Sequence, residues 1–263
     1  MLDGRAAIIT GAGRGIGRGF AIAMAREGAS VVVASRTPST VEEVTGVIRG
    51  EGGRASPFVC DVGERDQLKA LADAAVKAFG TVDILVNNAQ GFGTPDNPVG
   101  TMPHSPVETI TFEEMEYTHR TGFYATLWLM QYCFPHMKAQ GRGRIINIGS
   151  RSGQRGNEFV ACYNSNKEAI RGLSRTAARE WARYGITVNV INPLLESNSL
   201  ETLRHRSPET AQRIADRIAT LPMGRYGDPI EDGAPLAVFL ASDASRYVSG
   251  QTIMLDGSDY TYA

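Results

Sequence analysis

Ala6-Ala7-Ile8-Ile9-Thr10 runs directly into Gly11-Ala12-Gly13-Arg14-Gly15-Ile16-Gly17, and this join of an apolar run to a glycine-rich turn sets the reading of the chain. An apolar run without polar alternation predicts a strand buried on both faces. The turn spells G-x-x-x-G-x-G rather than the commoner G-x-G-x-x-G. Its glycines let a ligand approach the backbone, and the helix expected from about Ile16 to Glu27 offers free N–H groups at its start. Gly11, Arg14, Gly15, Ile16 and Gly17 are therefore candidate contacts to a pyrophosphate.

The same rhythm continues outward from this unit. Further strands are expected at Ser30 to Ser35, Ala55 to Cys60, Val82 to Val86, Arg144 to Ile148, Ile186 to Ile191 and Thr252 to Leu255. Helices are expected at Pro38 to Arg49 and Glu64 to Phe79 between the first four strands. Apolar strands separated by helices imply an α/β fold: a seven-stranded parallel sheet with helices on both faces, wound as one Rossmann-type domain over residues 1–263.

Composition excludes several classes of function. The 263 residues carry 27 basic and 28 acidic side chains, a net charge of −1, so no surplus of either sign points to nucleic acid. No run approaches the ~18 apolar residues of a membrane span, and no leader-like segment opens the chain, which predicts a cytoplasmic protein. Cys60, Cys133 and Cys162 are odd in number and scattered, as expected of reduced structural thiols rather than a disulfide frame or metal site.

Strand two ends Val33-Ala34-Ser35-Arg36. A carboxylate at position 35 would accept a ribose hydroxyl and repel a 2′-phosphate, but Ser35 stands there. Arg36 follows it and Arg14 rises from the glycine turn, so two guanidiniums are available to a phosphate. NADP(H) is accordingly expected over NAD(H).

A second constellation lies between Arg144 and Lys167. Ser150 follows the strand Ile145-Ile146-Asn147-Ile148, and Tyr163 and Lys167 stand four apart, on one face of a helix. A hydroxyl to hold a carbonyl oxygen, a phenol to protonate it and an ammonium to lower the phenol's pKa from ~10 compose a carbonyl-reducing site.

With the glycine turn, Asn87-Asn88-Ala89 and the Ser150, Tyr163 and Lys167 set, the chain resembles the short-chain dehydrogenase/reductase family in its ~250-residue form, from Gly4 to Gly257. The resemblance implies that Ser150 orients the substrate oxygen, Tyr163 is the acid or base, and Lys167 also binds the nicotinamide ribose. It implies that Asp61 and Val62 border the adenine ring, Asn88 and Ala89 the adjacent ribose, and Pro193 the nicotinamide. It also implies a small-molecule ketone or secondary alcohol as substrate, and a homo-oligomer, tetramer or dimer. Long helices rich in large apolar residues, Phe123 to Phe134 and Ile170 to Trp181, point the same way.

Three departures stand out. Gln90 replaces the glycine that usually ends the motif after strand four. Gly122 occupies the place of a fourth active-site residue, an asparagine that holds a relay water, and is expected to keep a helix kink and to accept Asn. Pro193-Leu194 replaces Pro-Gly, and Ser197 or Asn198 the threonine beyond it.

Residues 91–109 and 194–223 are the expected substrate loops, the first without period and the second with a helix from Pro208 to Ala219 that acts as a lid. Phe92, Phe159, Leu195, Leu200 and Leu203 are candidate lining for an apolar or cyclic substrate. Two other functions remain open at the level of sequence: a non-catalytic NADP(H) sensor, and lyase-like chemistry on the same fold.

Overall fold

The computed structural model describes residues 1–99 and 102–261. Gly100 and Thr101, within the first expected substrate loop, and Tyr262 and Ala263, at the end of the expected domain, lie outside the described residues.

Seven strands form one parallel sheet: β1 Ala6–Thr10, β2 Ser30–Ser35, β3 Arg54–Val59, β4 Ile84–Asn87, β5 Gly143–Ile148, β6 Ile186–Pro193 and β7 Thr252–Leu255. Their order across the sheet is β3-β2-β1-β4-β5-β6-β7. Connections leave β1 toward one edge and β4 toward the other, which opens a crevice at the carboxyl ends of β1 and β4.

Alternate strand residues feed two cores. Ala7, Ile9, Val31, Val33, Ile84 and Val86 pack on one face, with Phe20, Met24 and Leu240. Ile8, Val32 and Leu85 pack on the other, with Leu68, Leu71, Leu129 and Met130. Each fully buried large side chain contributes roughly 1.5–3 kcal/mol, and apolar residues at both phases of the strand are what allow helices on both faces.

α1 Gly15–Arg26, α2 Pro38–Gly50 and α3 Arg65–Phe79 follow the first three strands, and Gly80 ends α3 at φ 82°. After β4 come α4 Phe112–His119, opened by a Thr111/Glu114 capping box, then a π-turn at Arg120–Tyr124 and α5 Ala125–Ala139. α6 Arg151–Arg155 and α7 Ala161–Trp181 follow β5. α8 Asn198–Arg204 and α9 Pro208–Ala219 follow β6, and α10 Ala234–Ala241 precedes β7.

Four strands differ slightly from expectation, β5 starting one residue earlier at Gly143, paired with Ile186, and β6 running on to Pro193, paired with Leu255. β3 starts at Arg54 because it pairs with Ser30, and β4 ends at Asn87 because it pairs with Asn147. The loop after β4 also has structure of its own: Phe92–Gly93 pairs antiparallel with Pro98–Val99, and Val107–Thr109 forms a 3-10 turn.

Candidate active site

The turns after β1 and β4 are built as one unit. The Asn88 amide donates to the carbonyls of Thr10 at 2.9 Å and Gly11 at 3.3 Å, while Thr10 Oγ1 accepts from the N–H groups of Asn88 and Ala89. Gly11 has φ 65°, and a Cβ there would lie 2.7 Å from Asn88 Nδ2; one on Gly17 would lie 2.5 Å from the Gly11 carbonyl oxygen. Only glycine closes this turn.

Arg14, the N-cap of α1, supplies no side-chain acceptor, and the first turn of the helix has no acidic residue. Its open N–H groups and positive end fit a pyrophosphate bound over Gly11 to Gly17, Ile16 included. Asn198 Oδ1 lies over the same turn, 3.0 Å from a Cβ on Gly15. Ser197 is engaged otherwise, its hydroxyl capping α8 by accepting from the Leu200 N–H. Pro193 closes β6 and leads into this segment.

The adenosine end lies beside β2. Ala12 N–H donates to the Ala34 carbonyl at 3.0 Å, which lays the glycine turn against the end of that strand. Ser35 is half-buried, and Arg14 and Arg36 are exposed. Arg36 Nη1 reaches the Tyr117 hydroxyl at 3.2 Å and lies 3.8 Å from Asp61 Oδ2. Asp61 also accepts from the Gly63 N–H, and Val62 is buried beneath it. These groups fit the adenosine end of a nicotinamide dinucleotide. Asn88 contributes by bracing the glycine turn, its N–H donors engaged there.

Ser150 leaves β5 and caps α6, its Oγ accepting from the Ser152 N–H at 3.1 Å. α7 presents Tyr163 and Lys167 to the same end of the sheet. Lys167 is 4 % exposed; its Nζ donates to the Ile148 carbonyl at 2.8 Å and stands 5.5 Å from the Tyr163 ring centre. Burial brings this ammonium down to about 8.

The expected depression of the Tyr163 pKa is not found. Burial pushes the phenol above its ordinary value, and a hydrogen bond with Ser150 draws it only part of the way back. A phenolate loses more by desolvation here than the site returns to it, so the free site holds a neutral phenol.

Gly122 sits inside the π-turn, where an Asn would have to displace two side-chain amides. A Cβ there would meet Gln90 Oε1 at 2.6 Å and the Asn166 amide more closely still. Asn166, fully buried on α7 between Tyr163 and Lys167, accepts from the Phe123 N–H at 2.7 Å and donates to Gln90 Oε1 at 2.7 Å. Neither side chain stood out in the sequence as part of the site, although the unusual Gln90 was a signal.

Beside Tyr163 is a crevice of about 20 Å³, lined by Phe92, Met102, Ile110, Phe159 and Tyr163. That is room for about one water. Phe92 packs its ring 5.7 Å from that of Tyr163, and Phe159 is held at φ 65°, a left-handed conformation costly for an aromatic residue. Glu114 is the one charged residue on the described lining. Leu195, expected there, is instead buried in the core with Phe20, and Leu200 and Leu203 lie half-buried on α8. The helix α9, expected as a lid, is tied down: Arg217 on α9 and Arg151, next to Ser150, both pair with the buried Asp259 of the C-terminal segment.

Comparison with known proteins agrees with this geometry. A family model described as enoyl-(acyl carrier protein) reductase matches residues 11–257. A 12α-hydroxysteroid dehydrogenase from a Clostridium species is 34% identical over 98% of this chain and 97% of its own. The solved 7α-hydroxysteroid dehydrogenase, complexed with NADH and 7-oxoglycochenodeoxycholic acid, superposes with a TM-score of 0.87 at 35% identity, covering 98% of this chain and 94% of that one. A Beutenbergia cavernae protein described as an NAD(P)-dependent gluconate 5-dehydrogenase, with bound NADP, gives 0.85 at 35% identity over 97% and 96%. Matches of this extent show that the chain belongs to the short-chain dehydrogenase/reductase family, oxidoreductases of the Rossmann fold acting between CH–OH and C=O.

Proposed function

We propose that this chain is an NADP(H)-dependent oxidoreductase that interconverts an apolar or cyclic ketone and its secondary alcohol. The observation that carries the reading is the convergence of the Ser150 hydroxyl and the Tyr163 phenol above a buried lysine. In reduction, Ser150 and Tyr163 hold the substrate oxygen, and Tyr163 gives it a proton as negative charge develops there. The raised pKa keeps the phenol protonated near neutrality, ready to donate. Lys167, still largely charged at neutral pH with its value near 8, stabilises the phenolate that remains. When bound, the nicotinamide supplies the hydride to the carbonyl carbon, or accepts it in the reverse direction. Lys167 is also placed to hold the nicotinamide ribose, with Pro193 and Asn198 at that end and Asp61, Val62 and Ala89 at the adenosine end.

The choice of NADP(H) rests on Arg14 and Arg36 beside Ser35, where no carboxylate opposes a 2′-phosphate. The choice of an apolar substrate rests on the aromatic and aliphatic lining beside Tyr163, whose Glu114 carboxylate disfavours an anionic sugar acid. Phe112 and Tyr124, exposed on α4 and in the π-turn, support a homo-oligomer, and charge and composition support a cytoplasmic one built of a single domain over residues 1–263.

Absorbance of reduced nicotinamide, followed with NADPH and NADH against cyclic ketones and keto-sugar acids, tests the reading. Turnover of cyclic ketones with preference for NADPH is expected. Faster turnover of the sugar acids, or preference for NADH, would overturn the corresponding half.

A further inference from the structure

We propose that Gln90 and Asn166 act as a positioning pair: two side-chain amides in series that tie the Phe123 N–H of the π-turn to the Thr118 carbonyl and so set the rotation of α7. The inference rests on the reading of Tyr163 as proton donor and adds residues to it.

In the π-turn the backbone bonds reach back five residues, as the Ala125 N–H does to the Arg120 carbonyl. The Phe123 N–H has a side-chain partner. The Phe123 N–H donates to Asn166 Oδ1 at 2.7 Å, Asn166 Nδ2 donates to Gln90 Oε1 at 2.7 Å, and Gln90 Nε2 donates to the Thr118 carbonyl at 3.1 Å. The direction of donation is the same at every step, which fixes the orientation of both amides. The second Gln90 N–H goes to the Gly91 carbonyl at 2.8 Å. Beside this relay, Thr121 Oγ1 accepts from the Gly91 N–H and donates to the Tyr117 carbonyl, a second stitch between the same segments.

The relay occupies the space a side chain at position 122 would need. Two departures from the family pattern, Gln90 for glycine and Gly122 for asparagine, are thereby one feature, completed by a third residue on another helix. Its reach into the site follows from α7. Asn166 adjoins Lys167 and follows Tyr163 by three, so anchoring it in the π-turn fixes the direction in which both point. An unmet Phe123 N–H or Thr118 carbonyl at this half-buried place would also carry a desolvation penalty.

The test is a transplant. Asn166→Ala breaks the relay, Gly122→Asn alone overfills it, and the double variant moves the amide from α7 into the π-turn. Three measurements are made on each: kcat and KM with the best ketone, melting temperature, and the Tyr163 phenol titration by ultraviolet difference against the Tyr163→Phe variant.

Each single variant is expected to lose roughly ten- to hundredfold in kcat, with KM little changed, as for a misplaced catalytic group. The phenol should fall back toward its ordinary pKa as water enters. The double variant should regain most of both. If Asn166→Ala keeps wild-type kcat and phenol titration, or if the double variant is no better than the worse single, the proposal is overturned. Should both singles fail to fold, recovery of the melting temperature in the double supports it and no recovery overturns it. The phenol titration needs no turnover, so it separates failure of this inference from failure of the proposed reaction.

Discussion

Lys167 donates to the Ile148 carbonyl at 2.8 Å, so the last residue of β5 and the second turn of α7 are held together by a buried cation. That bond places the ammonium beside Tyr163 and removes it from water, which makes the lysine a burden to folding as well as a part of the proposed chemistry.

The burden has a pH signature. The folded value of about 8 lies below the ordinary 10.5, so between these two pH values the unfolded chain holds a proton that the folded one has lost. Stability therefore rises with pH across that window, and below it the penalty is fully present, about 3 kcal/mol at ~1.4 kcal/mol per unit. Lys167→Met should lose turnover and bind NADPH more weakly, yet resist urea better than wild type near neutral pH and show no gain on raising the pH. Urea melts of both proteins across the window check this, and a flat wild-type profile would count against a depressed lysine.

Tyr163→Phe removes one hydroxyl. Turnover should fall by ~10²- to 10⁴-fold, the usual share of general acid catalysis, while NADPH affinity changes little. Steady-state rates and a fluorescence titration measure the two separately. Retention of more than about a tenth of the turnover, in conditions where chemistry limits, would remove Tyr163 from the acid role.

Arg36 stands half-exposed between Asp61 and Tyr117. Arg36→Ala should weaken NADPH by about 1.5–3 kcal/mol, roughly ten- to a hundredfold or somewhat more, and leave NADH nearly unchanged. An equal loss for both nucleotides would mean that the guanidinium serves Asp61 and the fold instead.

Asp259 is 5 % exposed in its side chain and takes two arginines, one from α9 and one beside Ser150. Asp259→Asn leaves Arg151 and Arg217 facing each other without the carboxylate they share. A loss of about 3 kcal/mol is expected, as for other broken buried pairs, with a lower kcat through the displaced Arg151. Calorimetry checks the first and steady-state rates the second; an unshifted melting temperature would contradict the clamp.

Much of the molecule was legible because its signals are local. A strand apolar at both phases, such as Val31 to Ala34, can only lie between two layers, and the glycine turn after Thr10 has one sterically permitted closure. The positions of Ser150, Tyr163 and Lys167 follow from a strand end and one helical period. What escaped depends on distance through space. Asn166 reads as filler between two reactive residues until Phe123, 43 residues away, is seen beside it. The sign of the Tyr163 shift depends on burial, which one helix's spacing does not disclose. Leu195 was assigned to the pocket because its segment crosses the site, but it turns inward to Phe20.

The sheet order has a consequence for the birth of the chain on the ribosome. Every pairing among β1 to β4 lies within residues 6–87, whereas β5, β6 and β7 each join the edge left by the strand before. Synthesis from the N-terminus releases β1 to β4 first and α7, which carries Tyr163 and Lys167, some eighty residues later, at ~5–20 residues per second. Until Asn147 arrives to cover it, Asn87 lies along a bare sheet edge, so the nascent half-sheet is the stage at which this chain is most open to wrong partners.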